Sequence, residues 1–563
     1  MRLALLILVT CAQLAGAAVN LYVDFDGGSD AAAGTSTGTA FRTIPGTYDA
    51  AGVALLQTYW GAYSNANRIP DNTTIWVKSG TVHDSGSGGY CWMAGSSASV
   101  YTDGCTNIVI KTDTSWGDGT PAVLDGSGIT VGISLLLIQT DGVAVRGITF
   151  RDSDQAAIQA KEKGDGSALT NLIFADLILT NNGVSYADDL AGSGDGQINV
   201  RRGQTVIVSN CLFYGASRFI NGLLLGNTGK EVLDYQLLDS IARDHNGDTV
   251  DNDCGIGFKL INTRGFSRNC QSFDNLKGWD VGEQNGVGMI SNVVYNCAAL
   301  RNYWGINYNG PAAAYAYPIR SFTFNNVIVS NLYNGLNIYS GPFKSYLVNN
   351  TIIYNGFARH TNGGGSDNSL YNVAQITINP NDSPDTNEIE FVALNNVLHE
   401  SPTNATTFLN KYGSYSNWFT TTIDFNSYQS YAGTYFAIWD AYVGGDVYAY
   451  VTHGPGRTSG NWYSYYYNDA TPPALGTGHY HNDSNSKGKG CTDTTICPLD
   501  SQYVPTGSYP GTNYSSASWF LPEMAYDRNG RARSEWTVGA EEVTTFGAAS
   551  GGSGKNRNFF RPR

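Results

Sequence analysis

Ten residues in the middle of this 563-residue chain carry side chains that could do chemistry together. Lys259 stands in the segment GIGFKL. Arg201 and Arg202 lie upstream of it, and Asp280, Glu283, Asn307 and Tyr308 lie downstream. Lysine and arginine can neutralise a ligand carboxylate, and carboxylates, amides and phenols can hold hydroxyl groups. Asp248, Asp251 and Asp253 run Asp-x-x-Asp-x-Asp into the lysine segment, and oxygen donors at such spacing suit Ca²⁺. The plainer reading of each is a solvated charge on a sheet face or turn, and Asp/Asn/Gly loops are common.

Whether these residues meet depends on the elements that carry them. The segments VSNCLFYGA, QLLDSIARD, SRNCQSFDN, VYNCAALRN, FNNVIVSNL, VNNTIIYNG and LNNVLHESP each place Asn or Asp just before a short apolar strand. The polar positions are Asn210, Asp239, Asn269, Asn296, Asn326, Asn350 and Asn396, spaced 29, 30, 27, 30, 24 and 46. The last interval reads as two coils of half its length. Asp176 extends the series upstream. A period of this size signals a solenoid. The LxxLxL pattern of leucine-rich repeats is missing, and β-branched residues and Asn stand where helical repeats need Ala, Leu and Glu. Short parallel strands with an Asn ladder at one turn fit.

A second series comprises GQINV, GLLLG, GIGFKL, GWDVGE, GINYN and GLNIY. Each opens on Gly and then alternates inward and outward side chains. Lys259 falls on this series, with Arg201 and Arg202 about two coils before it, Asp280 and Glu283 one coil after, and Asn307 and Tyr308 on the next. The fold expected is all-β, a right-handed parallel β-helix with caps. The expected organisation is a signal peptide at 1–17, an N-terminal strand and cap region at 18–104, coils at 105–400, an aromatic-rich C-terminal cap at 401–545 and a flexible tail at 546–563. Within the cap, YDRNGRARSEWTVGAEE (526–542) reads as a closing strand.

Composition agrees. Charged residues are 14%, with 67 Gly and 36 Tyr, which suits short strands and tight turns. A net charge of −14 without a basic stretch argues against nucleic acid as a partner. Arg2, the apolar run Leu3–Ala12 and Ala15-Gly16-Ala17 predict export, and no later run is long enough for a membrane span. Export permits disulfides, with Cys91–Cys105 and Cys491–Cys497 as the near pairs. Cys211, Cys270 and Cys297 follow Asn in the repeat and read as core residues. No CxxC pair points to zinc. The sequons at Asn72, Asn349, Asn381, Asn404, Asn482 and Asn513 are acceptors only in a host that glycosylates.

The chain ends, YVDFDGGSD…GTSTGTAFRTI and NGRAR…WTVGAEE, resemble those of secreted right-handed β-helix proteins. The centre resembles family-9 polysaccharide lyases, which are pectate-lyase-like. The matching residues are Gly257-Phe258-Lys259-Leu260, Asn269-Cys270, Asn275 and Gly278-Trp279-Asp280. The resemblance implies Lys259 as catalytic base. The family's calcium aspartates, one coil upstream, correspond here to Ile220-Asn221-Gly222-Leu223-Leu224, without carboxylates.

On this resemblance the expected function is secreted lysis of a uronic-acid polysaccharide by β-elimination. Lys259 would remove the C5 proton, and Arg201 or Arg202 would replace calcium at the substrate carboxylate. Asp280, Glu283, Asn307 and Tyr308 would bind sugar, and Asp248, Asp251 and Asp253 are the candidate Ca²⁺ ligands. Two other classes stay open. A non-catalytic glycan-binding or matrix protein could use aromatic residues such as Trp418, Trp439 and Trp462 as sugar platforms. A glycoside hydrolase would need paired carboxylates, for which Asp280 and Glu283 are the candidates.

Overall fold

A computed structural model of the chain describes residues 19–45, 69–84, 92–94, 105–128, 134–183, 196–215, 220–245, 255–282, 291–309, 319–339, 343–353 and 355. Beyond these it describes 374–379, 389–394, 396–399, 407–411, 419–424, 427–429, 438–440, 445–446, 465–466 and 515–533. Strands in this set form three sheets of 13 strands each. The first sheet runs from Val19–Val23 to Phe419–Asp424, the second from Trp92–Ala94 to Gly445–Asp446, and the third from Val82–Asp84 to Tyr465–Tyr466. Every strand pairing is parallel except the last of the second sheet. The chain visits the second, first and third sheets in turn, and this is the expected right-handed parallel β-helix. The sheets also extend past the interval 105–400 at both ends, because parallel pairing needs backbone groups in register and tolerates a fading side-chain pattern. No helix among the described residues is long and apolar enough to cross a membrane.

The corner between the first and third sheets explains the Asn/Asp series. Asp176, Asn210, Asp239, Asn269, Asn296, Asn325 and Asn349 all have φ between 48° and 57° there. Asn and Asp tolerate this left-handed conformation better than other residues with a Cβ. The expected single series therefore resolves into two. Asn210, Asp239, Asn269 and Asn296 occupy the left-handed position, whereas Asn326, Asn350 and Asn396 sit one residue later and point inward. The outer set bonds from coil to coil, as from Asn210 Nδ2 to Asp176 Oδ1 at 2.6 Å. The inner set begins with Cys211, Ser240, Cys270 and Cys297 and continues as an amide ladder through Asn326, Asn350 and Asn396. Asn350 bonds Asn396 directly, and Thr351–Ile353 pairs with Val397–His399. The 46-residue interval is thus one coil with a long excursion, not two short coils. The three cysteines lie in the core, as read from the sequence.

A second inner ladder, not foreseen, stands five residues further on. Asn275, Asn302, Asn331 and Asn355 each receive the backbone N–H of their predecessor in the ladder, or give theirs to their successor, at 2.9–3.1 Å. Gln375 accepts at its far end, and His245 precedes Asn275. This ladder explains the glycines that open the second-sheet strands. A Cβ on Gly278 would lie 2.4 Å from the Gly305 carbonyl and 3.0 Å from Asn302 Nδ2.

The signal peptide, Cys91, Cys491, Cys497, Trp418, Trp439, Trp462, Asn381, Asn404, Asn482, Asn513 and the tail lie outside the described residues or their side chains. Asn349 is fully buried in its turn, so it is no glycan acceptor in the folded chain. The expected closing strand at 526–542 does not form over its first eight residues. Instead Tyr526 bridges Ala532, and Asn325 Nδ2 donates to the Tyr526 carbonyl at 2.7 Å. Met524 completes a cluster with Tyr295, Phe324, Tyr346 and Val348 outside the first sheet. That face is apolar, and a returning chain covers it at lower cost than water does.

Candidate active site

Strand alternation sets which second-sheet residues face out. Phe258, Leu260, Trp279, Val281, Ile306 and Tyr308 belong to the solenoid core. Lys259, Asp280 and Asn307, between them in sequence, face the other way. Register places Leu224, Lys259, Asp280, Asn307, Asn337 and Thr377 side by side on successive strands. A parallel second column at the strand starts holds Ile256, Lys277, Trp304 and Asn334.

These columns are bonded into one polar seam. Lys277 Nζ lies 3.1 Å from Asp280 Oδ2, with both side chains less than a tenth exposed. Asn307 Nδ2 donates to Asp280 Oδ1 at 2.5 Å, and Asn337 Nδ2 donates to Asn307 Oδ1 at 2.7 Å. Thr377 Oγ1 donates to Asn334 Oδ1 at 3.2 Å. Lys259, next to Asp280 in register, is 1% exposed. An outward-facing lysine on an ordinary sheet would be solvated, so Lys259 itself is covered, whereas Asn337 in its column and Trp304 in the next are half-buried.

Tyr308 departs from the sequence reading. It follows Asn307, so a strand period of two turns it inward. Its hydroxyl pairs with Thr323 Oγ1 at 2.7 Å, and burial pushes the phenol far above its usual range. It cannot touch a sugar on the outer face.

Arg201 and Arg202 occupy the corner that follows Gly196–Val200. Asn199 aligns with Leu224 and through it with Lys259, so the arginines lie two strands away, about 10 Å in the coil direction. Arg202 donates to the Gly166 carbonyl at 2.6 Å. Arg201 sits by Glu162, which is ion-paired with Lys230. Burial raises the Glu162 carboxyl, but Lys230 and Arg201 outweigh it and hold the group below its usual value.

Glu283, Asp248, Asp251 and Asp253 lie outside the described residues. Among the described residues no three His, Cys, Asp or Glu side chains gather as a metal site. Leu224 occupies the position beside Lys259 on the upstream strand and offers no metal donor.

Sequence reasoning passed over Lys277, Trp304 and Asn334. The signal was there: each immediately precedes the strand-opening glycine, at Gly278, Gly305 and Gly335.

No family model matches the chain, and no curated protein matches it. Solved structures do. A rhamnogalacturonan lyase is 12% identical, with a TM-score of 0.38, over 74% of this chain and 89% of that one. The A-module of an Azotobacter vinelandii mannuronan C-5 epimerase is 11% identical, with a TM-score of 0.37, over 69% of this chain and 96% of that one. A pectate lyase, Pel9A, is 13% identical, with a TM-score of 0.30, over 72% of this chain and 78% of that one.

Proposed function

We propose that the chain is a carbohydrate-active β-helix protein that cleaves a uronic-acid polysaccharide by β-elimination, with Lys259 as base. One observation carries this reading: Lys259 stands in register beside the Lys277–Asp280 pair on the outer face of the second sheet, withdrawn from water. Elimination needs a base at C5 and positive charge at the substrate carboxylate. Lys259 supplies the first and Lys277 the second. The C5–H electrons form the C4–C5 double bond, the C4–O bond breaks, and the departing oxygen takes a proton from water. A lysine must be uncharged to accept a proton, and withdrawal from water favours that form. Asp280 is the one carboxylate of the described seam, and hydrolysis by paired carboxylates needs two.

The test is the ultraviolet absorbance of unsaturated uronate released from pectate, alginate and other uronic-acid polymers, with and without EDTA. Lys259→Ala should lower the rate at least about 100-fold. Full activity in that variant would sink the assignment. A second reading, non-catalytic glycan binding, draws on the 1% exposure of Lys259, because substrate reaches the amine only if its cover moves. Silence on every polymer alongside measurable binding would select it.

A further inference from the structure

A cluster of rings adjoins the polar seam, with Tyr333 buried beneath Tyr303 and Trp304. Trp304 stacks on Tyr333 with centroids 5.5 Å apart and planes 25° apart. Tyr303 lies 4.1 Å from Tyr333 and edge-on to Trp304 at 4.7 Å. The Tyr303 hydroxyl donates to that of Tyr333. Trp304 and Tyr303 are half-buried, unlike the fully enclosed Trp279 and Phe258 one layer inward. Lys277 Nζ lies 5.9 Å from the Trp304 ring centroid. Rings, cation and amides thus meet at one corner, across adjacent coils.

We infer that Trp304, buttressed by Tyr333 and Tyr303, is a stacking platform for one pyranose ring of a carboxylated glycan, with Lys277 beside it to meet the sugar's carboxylate. Three features select this ligand. An indole face receives the C–H face of a pyranose, burying apolar area on both. Lys277, already poised over the indole, attracts a carboxylate. The outer column steps at the strand spacing of about 4.8 Å, with Asn307 and Asn337 on adjacent strands, so a chain lying along the axis passes polar side chains on successive coils. The Tyr303–Tyr333 hydroxyl bond and the tilted ring packing hold the platform rigid, which lowers the entropy lost on binding.

The platform deepens the elimination reading, but it stands or falls separately, because binding can be read without turnover. Oligomers of galacturonate, mannuronate, guluronate and glucuronate, together with their carboxyl-reduced counterparts, would be titrated calorimetrically into the full chain carrying Lys259→Ala. At least one acidic oligomer should bind. Adding Trp304→Ala should weaken that binding about tenfold, whereas Trp304→Phe should stay within about threefold. Lys277→Met should weaken the acidic oligomer and leave its reduced counterpart unchanged. Thermal unfolding accompanies each variant. Should Trp304→Ala unfold, Trp304→Leu keeps apolar volume without a ring face and carries the same expectation. Unchanged affinity in a folded Trp304→Ala or Trp304→Leu chain would overturn the platform, and so would failure of every oligomer to bind. Binding that depends on Trp304 in a chain that never releases unsaturated product would remove only the elimination reading.

Discussion

His245 offers a sharp test of the inner ladder. It is fully buried and occupies a rung where other coils use Asn. Its Nδ1 lies 2.9 Å from Asn275 Oδ1, an acceptor, so Nδ1 carries the proton. Its Nε2 lies 3.1 Å from the Gln197 amide nitrogen, a donor, so Nε2 must be bare. Both contacts demand a neutral ring. Burial drives the pKa from 6.5 to about 4, against the opposing pull of Asn275 and Asp244. Between those values the unfolded chain binds a proton that the folded chain refuses. The stability contribution is therefore complete above pH 6.5 and falls as the pH drops toward 4. The full gap corresponds to about 3 kcal/mol, of which about 2 kcal/mol is lost by pH 5. Denaturant unfolding at pH 7.5 and 5 should show this loss. His245→Asn removes the titrating group, costs about 1 kcal/mol at pH 7.5 for the shortened contact to Gln197, and should flatten the dependence by the same 2 kcal/mol. An unchanged pH slope in that variant would refute the argument.

Two further outcomes follow from the packing. Gly305→Ala would place a Cβ 2.3 Å from the Gly335 carbonyl and 2.9 Å from Asn331 Nδ2. It should cost at least about 2 kcal/mol in denaturant unfolding, as overpacking against backbone does. Burial pushes the Cys211 thiol up to about 12 and the Cys270 thiol well above its usual range. Alkylation by iodoacetamide at pH 8 should therefore spare both until the chain unfolds, because the thiolate is the reactive form.

The solenoid was legible because its turns demand particular residue types. A left-handed corner position selects Asn or Asp in every coil, and a glycine is required wherever the inner ladder presses on the second sheet. The register of those signals was less legible. Asn325-Asn326 and Asn349-Asn350 each offer two amides for one corner, and only φ tells which turns outward. The phase of the site strand was half right. Lys259, Asp280 and Asn307 share a face, but Tyr308 followed Asn307 into the candidate set although alternation sends it to the core. Lys277 and Trp304 escaped because the glycine after them breaks the simple alternation. The long excursion after Ile353 escaped because side-chain spacing cannot distinguish two coils from one coil with an insertion.

The Lys277–Asp280 pair separates a structural seam from a working one. All the amide donors in the outer column point the same way: Asn337 gives to Asn307, Asn307 gives to Asp280, and Lys277 gives to the remaining oxygen of Asp280. The carboxylate ends the chain and anchors it. Asp280→Asn leaves a mostly buried ammonium without its counter-charge and turns an amide donor toward Asn307. Breaking one side of such a pair typically costs 3–5 kcal/mol, whereas replacing both partners with apolar groups of similar size is often neutral or stabilising. Asp280→Asn should therefore lose about 3 kcal/mol in denaturant unfolding, and Lys277→Met with Asp280→Leu should recover most of it. If the seam only holds the coils together, the double variant keeps every measured property of the parent. If it handles an acidic sugar, the double variant folds well and neither binds acidic oligomers nor releases unsaturated product. A stable double variant with full binding and activity would refute a functional role for the pair, since apolar side chains cannot meet a carboxylate.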